Sequence, residues 1–191
     1  MPRISAQTVR EHRAAMEAAL LDAAEDLLLE TGSLTIAQVA DRVGLSRNGV
    51  YKYVRSGDEL IEGVAARHLP RWSETVSQAV AAATGPRERV LAYVRANLSE
   101  AVGERHSWRV ALSSASLSDA ARARIGAQHA QVGDLLRQAL ADVGVADADL
   151  LYGAIQGLLA AGLNALDAGE PLERVSRFTA GAVDRLLDER G

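Results

Sequence analysis

Apolar residues along this chain recur three and four positions apart, and period-two alternation of β-branched residues is missing. Met16, Leu20, Ala24, Leu27 and Leu28 share one face of a helix predicted over about residues 8–30, with Gly32 as its stop. Ile36, Val39, Ala40 and Val43 repeat the spacing over a shorter helix that starts near Thr35. Gly44 suits the left-handed residue that ends such a helix, and Ser46 is a good N-cap for the next, in which Val50 and Val54 face inward and leave Arg47, Asn48, Tyr51 and Lys52 largely outward. Ser56 and Glu59 make an S-x-x-E capping box for a fourth helix, expected to continue, kinked at Pro70, to about residue 83. After the Gly85-Pro86 break, helices are expected at roughly 87–102, 105–115, 118–142, 147–167 and 171–189, with starts at Asp147 and Pro171 and stops at Gly144 and Gly169. The pattern predicts an all-α chain of about nine helices, a small N-terminal unit over 1–56 followed by a larger helical unit over 57–191.

Composition narrows what such a chain can do. At 191 residues and 48% hydrophobic it can bury a substantial core. It has no cysteine, which excludes disulfides and thiolate metal sites and fits a reducing cytoplasm. The start of the chain lacks the apolar stretch of a secretory signal, and no run of apolar residues is long enough for a membrane span. A net charge of −4 excludes a globally basic nucleic-acid binder but leaves room for a local basic patch.

Such a patch is present. From Arg42 to Gly57 stand Arg42, Arg47, Lys52 and Arg55, with no acid between them. The same stretch carries the two short helices joined by a tight, glycine-containing turn, the helix-turn-helix pattern whose second helix enters the major groove. Arg47, in the first turn of that helix, can reach guanine edges bidentately. Tyr51, Lys52 and Tyr53 suit phosphate oxygens, which set register rather than sequence. Thr35, Arg42, Ser46, Arg47, Asn48, Gly49, Tyr51, Lys52 and Tyr53 are the candidate DNA-binding residues. Arg3, Arg10, His12 and Arg13 precede them as either a DNA-reaching arm or a frayed polar terminus. A helical hairpin that only packs is the bland alternative.

The stretch TIAQVADRVGLSRNGVYKYVRSGDEL resembles the TetR family of bacterial transcriptional regulators, whose pattern is roughly T-x-x-x-I-A-x-x-A-G-V-S-x-x-x-L-Y-x-Y-F-x-x-K-x-x-L. Thr35, Val39, Ala40, Gly44, Leu45, Ser46, Val50, Tyr51, Tyr53 and Leu60 fall on matching positions over 26 residues without a gap. Three positions depart: Val54 stands for the usual Phe, Gly49 for Ala or Thr, and Gly57 for a phosphate-contacting Lys. The resemblance implies a homodimeric regulator that binds a palindromic operator, a small-molecule pocket within helices five to seven and the end of helix four, and a dimer bundle formed by the last two helices.

The C-terminal residues bear on both expectations. Tyr93, Asn97, Trp108, His129 and Gln156 interrupt apolar stripes and are the candidate ligand-binding residues, since a few polar groups in an apolar cavity orient a ligand. Taken singly, plain packing is the stronger account of each. The helix near 150–167 is apolar almost all round, with Gly153, Gly157, Ala161 and Ala165 recurring every four residues, and the last helix places Leu172, Val175, Phe178, Thr179, Ala182 and Leu186 on one face. Gly153, Gly157, Ala161, Phe178 and Leu186 are therefore the candidate dimer contacts. No G-x-S-x-G, P-loop, G-x-G-x-x-G or H-E-x-x-H motif is present, and the four histidines do not pair at ligand spacing, so no enzyme activity, cofactor or metal is expected. Two alternatives stay open: a ligand-independent or activating regulator of the same fold, and a helical interaction adaptor without DNA binding.

Overall fold

The computed structural model describes residues 6–102, 115 and 117–188, the side chains of residues 6, 7, 128 and 129 excepted. Among the described residues there are eight helices and no strand: α1 (Ala6–Thr31), α2 (Ile36–Val43), α3 (Arg47–Val50), α4 (Gly57–Ala82), α5 (Pro86–Ser99), α6 (Asp119–Val143), α7 (Ala148–Asp167) and α8 (Leu172–Asp188). The all-α expectation holds, and the observed bounds lie within a few residues of the predicted ones. The helix expected at 105–115 falls almost entirely outside the described residues.

The chain divides into two compact units: the described residues within Met1–His68 and Ser107–Ile125, and those within Leu69–His106 and Gly126–Gly191. In the first, Leu20, Leu27 and Leu28 of α1 pack with Ile36 and Val39 of α2, Val50 of α3, and Leu60, Ile61 and Val64 of α4. Each fully buried aliphatic side chain of this kind contributes about 1.5–3 kcal/mol. Polar ties join the starts of α4 and α6 within the same unit. The Ser118 hydroxyl donates to Asp58, and Arg124 forks onto Glu62 at 2.9 and 2.5 Å.

The capping box predicted for α4 forms only in half. The Glu59 amide donates to Ser56 Oγ at 3.2 Å, but the Glu59 carboxylate accepts the Arg55 amide instead, at 2.6 Å. That return bond, reaching one residue further back, also brings the carboxylate to the Arg55 guanidinium. α4 runs on through Pro70 as one helix.

In the second unit, Val90, Val94 and Leu98 of α5 pack with Leu136 and Leu140 of α6, Ile155 and Leu159 of α7, and Val175, Val183 and Leu187 of α8. Gly162 permits the close approach of three helices: a Cβ there would sit 3.0 Å from Leu98 Cδ2 and 3.1 Å from Thr179 Oγ1. Arg87, near the start of α5, holds the end of α8 through Asp184 at 2.8 Å and Asp188 at 2.6 Å.

Candidate nucleic-acid interface

Local caps shape the backbone of α2 and α3. Thr35 and Gln38 close a reciprocal capping box: the Gln38 amide donates to Thr35 Oγ1 at 3.2 Å, and Gln38 Oε1 accepts the Thr35 amide at 2.9 Å. The box starts α2 and occupies the Thr35 side chain. At the other end Gly44 adopts φ +70°, ψ +27°, and the Leu45 amide reaches the Ala40 carbonyl at 2.9 Å, so the chain leaves α2 in a fixed direction. Ser46 then caps the next helix, its Oγ accepting the Gly49 amide at 3.0 Å.

The regular part of α3 is a single turn, shorter than the expected second helix. Beyond Val50 the winding continues through i→i+3 bonds, Lys52 to the Gly49 carbonyl and Tyr53 to that of Val50. Gly49 lowers the helix preference of this segment by about 1 kcal/mol relative to Ala. A Cβ at Gly49 would lie 3.3 Å from Ser46 Oγ, so the glycine also leaves the cap undisturbed.

Val50 is fully buried and fixes the rotation of α3. Arg47, Asn48, Tyr51 and Lys52 are turned outward and exposed, as predicted. Among the described residues neither Arg47 nor Lys52 has an ion-pair partner. Tyr53 is half-buried against the first unit's core, with the Arg13 guanidinium 5.7 Å from its ring centroid. Arg13 itself pairs with Glu17 at 2.7 Å. Arg10, His12 and Arg13 belong to α1 rather than to an extended arm, and Arg3 lies outside the described residues.

The run that is free of acids in sequence is not free of them in space. Arg42 forks onto Glu30 at 3.0 and 2.7 Å, with Asp26 3.9 Å away. This bond holds the Glu30 carboxyl below the usual glutamate range and raises the Arg42 guanidinium above its own. Arg55 meets Glu59, whose carboxyl is lowered chiefly by the Arg55 amide and then by its guanidinium. Glu30, Asp26 and Glu59 are thus the partners that reading along the chain missed, and no signal in the run itself discloses Glu30 or Asp26. Of the departing positions, Val54 is partly buried against the first unit's core. A Cβ at Gly57 would stand 3.3 Å from Leu34 Cδ1.

Three of the ligand candidates come together in the second unit. Gln156 Nε2 donates to the Tyr152 hydroxyl at 3.0 Å and to that of Tyr93 at 3.5 Å. Burial raises the Tyr93 phenol above its ordinary value, and the Gln156 bond offsets part of that. Asn97 donates to the Tyr93 carbonyl at 2.8 Å and accepts the Trp72 indole N–H. Tyr152, with the Arg137 guanidinium 4.2 Å from its ring centroid, was missed, although its i,i+4 spacing to Gln156 is visible in the sequence. Trp108 and the His129 side chain lie outside what is described.

The dimer candidates lie on an open face of the second unit. Gly153, Gly157 and Ala161 are exposed, and Phe178 and Leu150 are 68% and 75% exposed. Leu186 is half-buried. A groove of about 600 Å³ runs between α7 and α8, lined by Leu158, Ala161, Ala165, Phe178, Thr179 and Arg185 among others. α7 is therefore buried on one side only in the single chain, and Phe178 leaves the face on which it was expected with Val175 and Thr179.

No protein-family model matches the chain. The HTH-type transcriptional regulator BetI of Burkholderia cenocepacia is 35% identical over 104 residues, 52% of this chain and 50% of that protein. The chain thus spans about half the length of the curated relatives it matches. A TetR-like transcriptional regulator from Rhodococcus sp. RHA1 superposes with a TM-score of 0.72 at 21% identity, over 99% of both chains. AibR, solved in complex with isovaleryl coenzyme A and operator DNA, superposes at 0.68 with 20% identity, over 87% of this chain and 96% of its own. The fold is that of the TetR-like regulators.

Proposed function

We propose that this chain, which carries the TetR-like fold, is a transcription regulator: a repressor that binds a palindromic DNA operator as a homodimer and is released by a small molecule. The observation that carries the reading is the Ser46-capped segment, on which Arg47, Asn48, Tyr51 and Lys52 are exposed together and no acid pairs with Arg47 or Lys52 among the described residues. Residues 1–56 supply DNA binding, and 57–191 supply the ligand site and the dimer contact. The likeness to BetI, a regulator by name, and the operator complex of AibR support the DNA-binding role.

The Tyr93–Gln156–Tyr152 cluster with Asn97 and Trp72 provides polar groups that orient an effector. The open α7–α8 face, with Gly153 and Gly157 on one helix and Phe178 on the other, receives the second copy. The protein is cytoplasmic and is not an enzyme. No helix among the described residues is long and apolar enough to cross a membrane.

Release requires the effector to prefer the state that does not bind DNA, because equal affinity for both states shifts nothing. The test is selection of bound duplexes from a random-sequence pool, followed by titration at several salt concentrations. Salt-dependent binding to a palindrome is expected. Equal affinity for selected and scrambled duplex would overturn the reading.

A further inference from the structure

Arg42 stands in the last turn of α2, inside the basic run, and sequence alone assigns it to DNA. Its guanidinium instead faces α1. Nη1 lies 3.0 Å from Glu30 Oε1 and Nη2 2.7 Å from Glu30 Oε2, the fork-to-carboxylate geometry that arginine forms best. Asp26, one turn earlier on α1, is 3.9 Å from Nη1. One cation is thus held by two acids. A phosphate approaching it would have to displace a bidentate carboxylate and would face the charge of Asp26 as it did so.

The position of the pair is what makes it useful. Glu30 and Arg42 lie in the last turns of α1 and α2, and Gly44 closes the turn two residues beyond Arg42. Ser46 follows and caps the segment that carries Arg47. Ile36, Val39 and Ala40 decide which face of α2 is buried, while the hydrophobic effect behind that burial is non-directional. The fork is directional, and it pins the end of α2 from which the reading segment departs.

We propose that Arg42 is a positioning residue rather than a phosphate contact: with Glu30 it sets the place and angle at which Arg47 meets DNA. This rests on the DNA-binding reading above.

The probes are the tightest duplex selected by the wild-type protein and a scrambled duplex, each titrated at several salt concentrations. The variants are Arg42→Gln, Glu30→Gln, their combination, the exchange of Arg42→Glu with Glu30→Arg, and Lys52→Ala as a reference phosphate variant; circular dichroism checks that each is folded. Arg42→Gln and Glu30→Gln are expected to weaken binding to the selected duplex by a similar factor, about 2–5-fold, the range of an exposed pair. The salt slope stays at its wild-type value, the combination loses nothing more, and the exchange restores affinity and base preference. A slope that falls with Arg42→Gln as it does with Lys52→Ala, by about one per contact, together with tighter binding by Glu30→Gln, would make Arg42 a phosphate ligand and overturn the proposal. Failure of the exchange to restore binding would also overturn it. A wild type that binds no duplex overturns the DNA-binding reading, and this proposal with it; the other results leave that reading standing.

Discussion

The indole N–H of Trp72, on α4, donates to Oδ1 of Asn97, on α5, across 3.2 Å. The Asn97 amide is oriented by its second bond, to the Tyr93 carbonyl, so the acceptor is held in place for the indole. Asn97→Ala is expected to destabilise the fold by about 1 kcal/mol, the usual net cost of one such bond, and to shift the Trp72 emission. Urea titration followed by fluorescence measures both. An unchanged emission maximum and midpoint would mean that the bond does not persist in solution. In the wild type, an effector bound beside this cluster should change the same emission. Operator DNA should then weaken effector binding by the factor by which the effector weakens DNA binding.

Tyr93 makes stability sensitive to alkali. Burial raises its phenol in the folded state, while in the unfolded chain it returns to the ordinary value of about 10. A raised folded-state value means that the native state holds its proton longer. The contribution is complete below the ordinary phenol range and is lost as pH rises through the folded-state value. Tyr93→Phe should therefore flatten the fall in urea midpoint as pH rises above about 10. Equal slopes for the two proteins would show that the phenol is solvated in the native state.

Gly157 lies on the open side of α7, and a Cβ there meets nothing within 4 Å in the single chain. Gly157→Leu should leave the monomer folded but weaken self-association by about 1–3 kcal/mol, the usual cost of overpacking a close contact. Light scattering against concentration reads the effect. A wild type that is monomeric at micromolar concentration would sink the dimer proposal.

On the proposed DNA-binding reading, Arg47 and Lys52 have different jobs. Arg47 follows the Ser46 cap, where such helices meet base edges. Arg47→Ala should relax preference at particular base pairs by about 1–3 kcal/mol. Lys52→Ala should weaken selected and scrambled duplexes alike and lower the salt slope by about one per contact. Tyr51→Phe should also be blind to sequence, but with little change in slope, because its hydroxyl is uncharged. Reversed behaviour of Arg47 and Lys52 would reverse their roles. No effect from any of the three would move the reading head elsewhere.

Features that depend on a few consecutive residues were legible along the chain. The Gly44 turn, the Ser46 cap and the outward set Arg47, Asn48, Tyr51 and Lys52 follow from local sterics and from the phase set by Val50, and the structure has them as read. Among the described residues the helix succession followed in the same way, from apolar spacing and from glycine and proline punctuation, apart from the shorter regular turn of α3.

What spacing could not decide was left to partners distant in sequence. Phe178 and Thr179 stand three and four residues after Val175, so periodicity admits both to the inner face. Packing against Gly162, where a Cβ would lie 3.1 Å from Thr179 Oγ1, admits the smaller one and leaves Phe178 outside. The charge of the basic run was misleading for the same reason. Glu30 is 12 residues from Arg42, and only the packing of α1 on α2 brings the two within hydrogen-bond distance. The sequence by itself determined where helices start, stop and turn, because those rules act within one or two turns of backbone. The tertiary structure decided which cations are engaged by acids and which apolar side chains stay exposed, because both depend on what the rest of the chain has already covered.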